Sequence, residues 1–216
     1  MLWRRPRRPA GGWVATTVLA AGLTSFSFFA IPWGYLGFPL RYTIAGLFGA
    51  ALLVSLRRPI IEDRADDTPM RMMVKVLIAL FFGSAALGVL RARSVPPGAV
   101  DLTFPLTNGS YAVIHGGSTP AANTYFGRGA EGYGVDVKST VGEPVASPCK
   151  GTVIAEKPLR LRCNDLIVEM RGVQLAPPFA RVTEKQLHIH AERNGQPVPV
   201  TFDGRWLVRN DVVRRR

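Results

Sequence analysis

The chain has 216 residues and a formal net charge of +12, a balance that taken alone is typical of nucleic-acid-binding proteins. The arginines, however, cluster beside long apolar runs and at the carboxyl terminus, as in membrane proteins, so we expect no nucleic-acid partner. Nearly all the long apolar runs fall within roughly the first 90 residues, which predicts a membrane anchor over residues 1–94 followed by a soluble domain.

Three apolar runs predict transmembrane α-helices, over residues 12–31, 40–56 and 72–90. The first run has no charged residue and is about 20 residues long, the length that an α-helix needs to cross the hydrocarbon core. The second run is shorter and carries Arg41 near its start, where a long side chain can reach the headgroups. If the second run does not cross, two crossings remain and the soluble domain lies on the opposite side of the membrane.

The arginines also predict an orientation. Arg4, Arg5, Arg7 and Arg8 precede the first run, and further arginines lie between the second and third runs. The positive-inside rule puts both regions in the cytoplasm, so three crossings put everything after residue 90 outside. Small residues at helical spacing, such as those at 45 and 49, favour close helix packing and a homo-oligomer within membrane lipid.

The pattern changes after residue 94 to short runs typical of strands. Residues 95–109 are a predicted linker and first strand, and residues 110–216 a mainly antiparallel β domain. Asn108-Gly109 and Asn194-Gly195 each predict a hairpin turn. The predicted strands span residues 101–106, 111–115, 133–137, 144–147, 151–156, 166–170, 186–193, 197–202 and 205–208.

The two cysteines, Cys149 and Cys163, bracket a predicted hairpin. If the domain lies outside the cytoplasm, they are expected to form a disulfide, whose closed loop of roughly 15 residues contributes about 3 kcal/mol by the chain-entropy estimate. The alternative is a pair of unrelated small apolar side chains.

Two of the three histidines, His188 and His190, lie one residue apart within residues 185–192. On an extended strand their side chains share one face while Ile189 points to the other. Two imidazoles on one strand face can hold a metal ion or a proton. The alternative is a strand on which the imidazoles are incidental.

Residues 132–136 (GYGVD) and 141–153 (VGEPVASPCKGTV) resemble the opening of the lysostaphin/LytM-type zinc endopeptidase domain, and residues 187–198 (LHIHAERNGQPV) resemble its closing His-x-His strand. The resemblance covers roughly residues 110–208 and implies the family's β fold, the duplicated hybrid motif. It further implies that Asp136 and His190 are Zn²⁺ ligands and that His188 is the catalytic acid–base or transition-state-stabilising group.

The sequence departs from the family pattern at two positions. The first zinc ligand, four residues before the aspartate, is Gly132 here, and the mid-domain stretch over residues 172–178 has no histidine. His115 is a candidate substitute ligand if the loop after it folds back. Glu131 is expected to face away from Asp136 if the chain between them is extended.

The resemblance therefore implies a membrane-anchored, peptidase-like protein of the cell wall with lost or impaired zinc endopeptidase activity. Its partner is then peptidoglycan or a wall hydrolase that it regulates. The alternative is an active zinc metalloendopeptidase that uses a substitute third ligand to hydrolyse the cross-link peptides of peptidoglycan.

Overall fold

The structure is a computed structural model that describes residues 10–57 and 68–215. The four amino-terminal arginines and most of the loop predicted to be cytoplasmic lie outside the described residues. The chain divides into two compact units, Met1–Leu87 and Gly88–Arg216, each of which is described by itself.

The first unit is helical. Its helices are α1 (Ala10–Ala30), the single turn α2 (Trp33–Leu36), α3 (Phe38–Leu56) and α4 (Pro69–Arg91), the last of which ends in the second unit. Three of these helices, α1, α3 and α4, are long and apolar enough to cross a membrane, as predicted. The second predicted helix starts earlier than expected, because Pro39 occupies its first turn, where a missing N–H costs nothing.

Small and polar side chains hold these helices together. A Cβ atom built on Gly22 of α1 would lie 2.7 Å from the carbonyl oxygen of Ala79 of α4, so the two backbones meet at this glycine. Nζ of Lys75 donates to Oγ1 of Thr16 at 3.1 Å, which gives the ammonium a polar partner. By contrast, a Cβ atom on Gly46 of α3 would meet nothing within 4 Å.

Within the described residues 88–215, the second unit contains 14 strands in mainly antiparallel sheets, as predicted. The strands are β1 (Val100–Leu102), β2 (Gly109–His115), β3 (Val135–Lys138), β4 (Pro144–Val145), β5 (Thr152–Glu156), β6 (Leu159–Cys163), β7 (Leu166–Arg171), β8 (Val173–Ala176), β9 (Phe179–Val182), β10 (Gln186–Arg193), β11 (Gln196–Val198), β12 (Val200–Phe202), β13 (Arg205–Trp206) and β14 (Val212–Arg215).

The strands form one large sheet and two small ones. The large sheet has eight strands in the order β14-β2-β3-β10-β7-β6-β5, with β11 paired to β10. The small sheets have three strands each, in the orders β1-β12-β13 and β4-β9-β8. Strand β10 lies near the middle of the large sheet, and its bounds are those predicted. The His-x-His motif is therefore at the centre of the domain.

Of the two hairpins predicted from Asn-Gly turns, one is correct. The turn at Asn194-Gly195 joins β10 to β11, which are antiparallel. The hairpin expected at Asn108-Gly109 was wrong, because β1 pairs in parallel with β12 while β2 pairs with β3 and β14. A disulfide joins Cys149 to Cys163 and closes the β5–β6 hairpin that lies between them.

Candidate functional site

The two faces of β10 differ in chemistry although both are buried. Leu187, Ile189 and Ala191 belong to the hydrophobic core, whereas His188 and His190 point to the opposite face and are 6% and 4% exposed. Alternation along a strand produces this division. We call the second face the polar face; its charged or polar members on β3, β6, β7 and β10 are Asp136, Arg160, Glu169, Arg171, His188, His190 and Glu192.

A chain of hydrogen bonds joins the three residues that the sequence singled out. Asp136 and His188 are register partners on β3 and β10, and Oδ1 of Asp136 lies 2.7 Å from Nδ1 of His188. Nε2 of His188 lies 3.1 Å from Nδ1 of His190. An ionised carboxylate accepts only, so His188 donates from Nδ1, and a second hydrogen bond joins its Nε2 to Nδ1 of His190. The structure thus brings Asp136 and His190 together through His188.

Tyr125 covers this chain from the loop after β2. Its hydroxyl donates to Oδ2 of Asp136 at 2.9 Å, and its ring centroid lies 4.5 Å from that of His188. Burial and the neighbouring Asp136 carboxylate raise the pKa of the Tyr125 hydroxyl, so it stays protonated and remains a donor. The fully buried Asn123 holds the loop by accepting a hydrogen bond from the Tyr125 N–H at 2.9 Å.

Gly134 makes room for the His188 imidazole. A Cβ atom at this position would lie 2.7 Å from Cε1 of His188, closer than side chains approach without something moving. The glycine two residues before Asp136 is therefore required by the approach of the imidazole rather than by an unusual backbone angle. The close approach of the imidazole thus accounts for a glycine at position 134.

His115 reaches the polar face through a β-bulge. The register between β2 and β3 shifts between Val113 and His115, so that His115 comes to lie opposite Asp136. Bulges of this kind re-aim side chains. Nη2 of Arg209 lies 3.0 Å from Nδ1 of His115, and burial together with this guanidinium lowers the pKa of His115. Because a guanidinium only donates, Nδ1 accepts and Nε2 carries the proton, which leaves no lone pair on Nε2 for a metal.

An ion-pair ladder crosses the rest of the polar face. Glu169 pairs with Arg171, at 2.8 Å, and with Arg160, at 3.2 Å. Arg171 also contacts Glu131, and Arg160 also contacts Glu192. The ladder supplies partners for Glu169 and Glu192, which are both buried.

The position of Glu131 differs from the sequence expectation. Residues Gly129–Glu131 form a 3-10 helix rather than a strand, so alternation does not apply to them, and the carboxylate reaches Arg171 beside His188. Burial by itself raises the pKa of Glu131, but the hydrogen bond and charge of Arg171 outweigh it and leave that pKa below its usual value.

The electrostatics of the site keep His190 neutral. Burial, and next the neighbouring His188, lower the pKa of His190 to about 4. The Asp136–His188–His190 chain can therefore hold and relay a proton, as carboxylate–imidazole pairs do.

These residues in this arrangement do not form a three-ligand zinc site. Both oxygens of Asp136 and both ring nitrogens of His188 are already used in hydrogen bonds within the chain. Among residues 10–57 and 68–215, no three His, Cys, Asp or Glu side chains are arranged to hold a metal ion. A catalytic zinc site generally needs three protein ligands and an open position.

Sequence reasoning missed several members of this face. Glu169 and Arg171 alternate with core residues on β7, a period-two signal that could have placed them beside the histidines. Tyr125 lies in a loop without periodicity, and its role follows only from the fold.

Comparisons of this chain with protein-family models, with curated proteins and with solved structures give no match.

Proposed function

We propose that this chain is a membrane-anchored, LytM/lysostaphin-like protein that acts at the cell wall and has lost or impaired zinc endopeptidase activity. The β domain would bind peptidoglycan or regulate a wall hydrolase. The observation that carries this proposal is the Asp136–His188–His190 chain on adjacent strands of one sheet. These are the positions that the family motif uses for zinc chemistry, and here they bind one another.

Two further features support the loss of catalysis. Gly132 stands where the family has its first histidine, so one imidazole is absent from the site. The ion-pair ladder gives the remaining buried carboxylates cationic partners from the protein itself. A metal ion is therefore not needed to satisfy the charges of the polar face.

The alternative is an active zinc metalloendopeptidase with a substitute third ligand. The bulge that sets His115 opposite Asp136 is the observation in its favour. Against it stands Arg209, which donates to His115 and also to the carbonyl oxygens of Ile114 and Ala121, and so is held in place. His115 would have to give up this contact or change tautomer before it could bind a metal.

The decisive experiment uses the full chain, purified in detergent, with bound zinc measured by elemental analysis and hydrolysis of purified peptidoglycan measured by release of peptides. We expect substoichiometric zinc and no hydrolysis. The variant Gly132→His restores the missing imidazole and is expected to bind more zinc than wild type. Gly132→Ala is the matched control for added bulk. Stoichiometric zinc in the wild type, with hydrolysis that disappears in His190→Ala, would establish the active enzyme instead.

The cell-wall location also requires the β domain to lie outside the cytoplasm, as the positive-inside rule predicts. A reporter that is active only in the cytoplasm, fused after Arg216, is expected to be silent, and one fused before the first helix is expected to be active. The reverse result would move the domain to the cytoplasm and remove the wall from its reach.

A further inference from the structure

The outer edge of β8 presents unpaired backbone groups. Strand β8 is an edge strand of its three-stranded sheet, where it pairs with β9 on one side. The amide of Thr183 donates to the carbonyl oxygen of Gly172 at 2.8 Å, which makes this a hydrogen-bonded pair of the antiparallel ladder. By alternation, the N–H and C=O groups of Val173 and Leu175 point away from β9. No strand among the described residues pairs with that edge.

A groove lies beside the start of this edge. It has a volume of about 370 Å³, within the size range of small-molecule sites. Its lining includes the segments 156–158, where β5 turns towards β6, and 171–174, where β7 leads into β8, together with Thr183 and Glu184. Val173 belongs both to the unpaired edge and to the groove lining, so we expect an extended chain paired with β8 to enter this groove.

The charged side chains of the groove include two of each sign, Lys157 and Arg171 against Glu156 and Glu184. Lys157, Glu156 and Glu184 are exposed and form no ion pair within residues 10–57 and 68–215. Arg171 binds Glu169 and Glu131 through Nε and Nη2, but its side chain is 47% exposed, so donors remain for a ligand. A ligand that carries both charges can pair with both kinds of side chain.

We propose that this groove binds a short extended peptide that has a free carboxylate and a free amine, by strand addition to β8. Backbone hydrogen bonds to Val173 and Leu175 would provide affinity, and the charged walls would select zwitterionic peptides. The inference rests on the proposed function and deepens it, because the cross-link peptides of peptidoglycan carry both kinds of group. It places peptide recognition at the β8 edge, away from the histidine pair.

The test measures binding of tetraalanine with free termini to the full chain in detergent, by titration calorimetry. We expect saturable binding that is lost for tetraalanine with N-methylated internal amides, since strand addition needs those N–H groups. Capping both termini should weaken binding, because the charges that the walls recognise are removed. Equal binding of the N-methylated peptide, or no binding at millimolar concentration, would overturn the proposal.

Protein variants locate the site. Lys157→Gln and Glu184→Gln are each expected to weaken binding about two- to fivefold, the range for exposed ion pairs. Lys150→Gln, which changes an exposed lysine outside the groove lining, is the matched control and should bind as wild type does. Unchanged binding in both groove variants would overturn the assignment.

Co-sedimentation with purified peptidoglycan separates this inference from the proposed function. If the chain sediments with peptidoglycan and the groove variants do so equally, the groove assignment is wrong and the wall function stands. If tetraalanine binds in the groove but nothing sediments, the groove stands and the wall function is wrong.

Discussion

Asp136 and His188 face each other across β3 and β10, with Oδ1 of the carboxylate 2.7 Å from Nδ1 of the imidazole. The contact depends on Gly134, whose missing side chain leaves space for the ring. It also orients the His188 imidazole, whose Nε2 lies 3.1 Å from Nδ1 of His190. A single backbone position thus controls the geometry of the whole histidine chain.

Substitution of Gly134 by alanine is therefore expected to displace His188. The added Cβ atom would lie 2.7 Å from Cε1 of His188 and 3.1 Å from the carbonyl oxygen of Glu131, so ring or backbone must shift. Overpacking of this kind typically costs about 1–3 kcal/mol. The measurement is the midpoint of thermal unfolding of the full chain, together with the nitrogen resonances of the His188 imidazole.

Gly132→Ala is the control for this prediction. Its Cβ atom would meet its nearest neighbours at 3.3 Å, a contact that small adjustments relieve. If Gly134→Ala unfolds at the wild-type temperature and leaves the imidazole resonances in place, the steric role assigned to Gly134 is wrong.

The elements that were predictable from the sequence are those with a strong local period. The three candidate membrane-spanning helices follow from uninterrupted apolar runs, and β10 follows from alternation. The pairing of strands was less predictable, since Asn108-Gly109 has the composition of a hairpin turn but β1 pairs with β12, 100 residues further along the chain. A turn dipeptide therefore does not determine which strands pair, because the pairing also depends on strands distant in the sequence.

Three residues of the candidate site were predictable from the sequence, but the other members of the polar face and the contacts among them were not. The motif supplied Asp136, His188 and His190, whereas the bulge that re-aims His115 and the loop that carries Tyr125 have no local signal. Strands β8 and β9 were also missed, because they are short and flank two prolines. Such features arise from the packing of the whole domain.

The pKa of His190 predicts that the domain loses stability in acid. Burial and the neighbouring His188 hold this pKa at about 4 in the folded chain, against about 6.5 for an unperturbed histidine. Between these values the unfolded chain binds more protons, so stability should rise with pH from about 4 to 6.5 and be fully present above that. A shift of this size corresponds to about 3 kcal/mol.

Denaturant titrations of the full chain across this pH window test the expectation. His190→Gln cannot be protonated and should flatten the dependence. The pKa of His115 is also lowered by burial and Arg209, so His115 contributes to the pH dependence of stability in the same direction. The variant His115→Gln measures that contribution. An unchanged slope in His190→Gln would mean that other groups govern the acid transition.

The ion-pair ladder predicts that Glu169 is important for stability. Its side chain is 8% exposed and pairs with Arg160 and Arg171, which are 34% and 47% exposed. Glu169→Gln leaves both guanidinium groups without their shared carboxylate and is expected to cost about 1–3 kcal/mol, less than in a fully buried pair because solvent screens the arginines.

The control for Glu169→Gln is the variant Asp165→Asn, which removes an ion pair with Arg193 at the surface. Asp165 and Arg193 are 64% and 44% exposed, so this change should cost at most about 1 kcal/mol. Urea unfolding of the two variants gives the difference directly. Equal stabilities would show that the ladder contributes no more than a surface pair.

Packing of the first unit predicts that Gly22 is intolerant of bulk. Its position against the backbone of Ala79 leaves no space for a side chain, and helices in membranes depend on such close approaches. Gly22→Leu is expected to lower the fraction of SDS in mixed micelles at which the helices unfold. Gly46→Leu adds the same side chain to α3, where a Cβ atom meets nothing within 4 Å, and should leave this midpoint unchanged. A drop in Gly46→Leu as large as that in Gly22→Leu would indicate that the face of α3 is itself packed, as in a homo-oligomer.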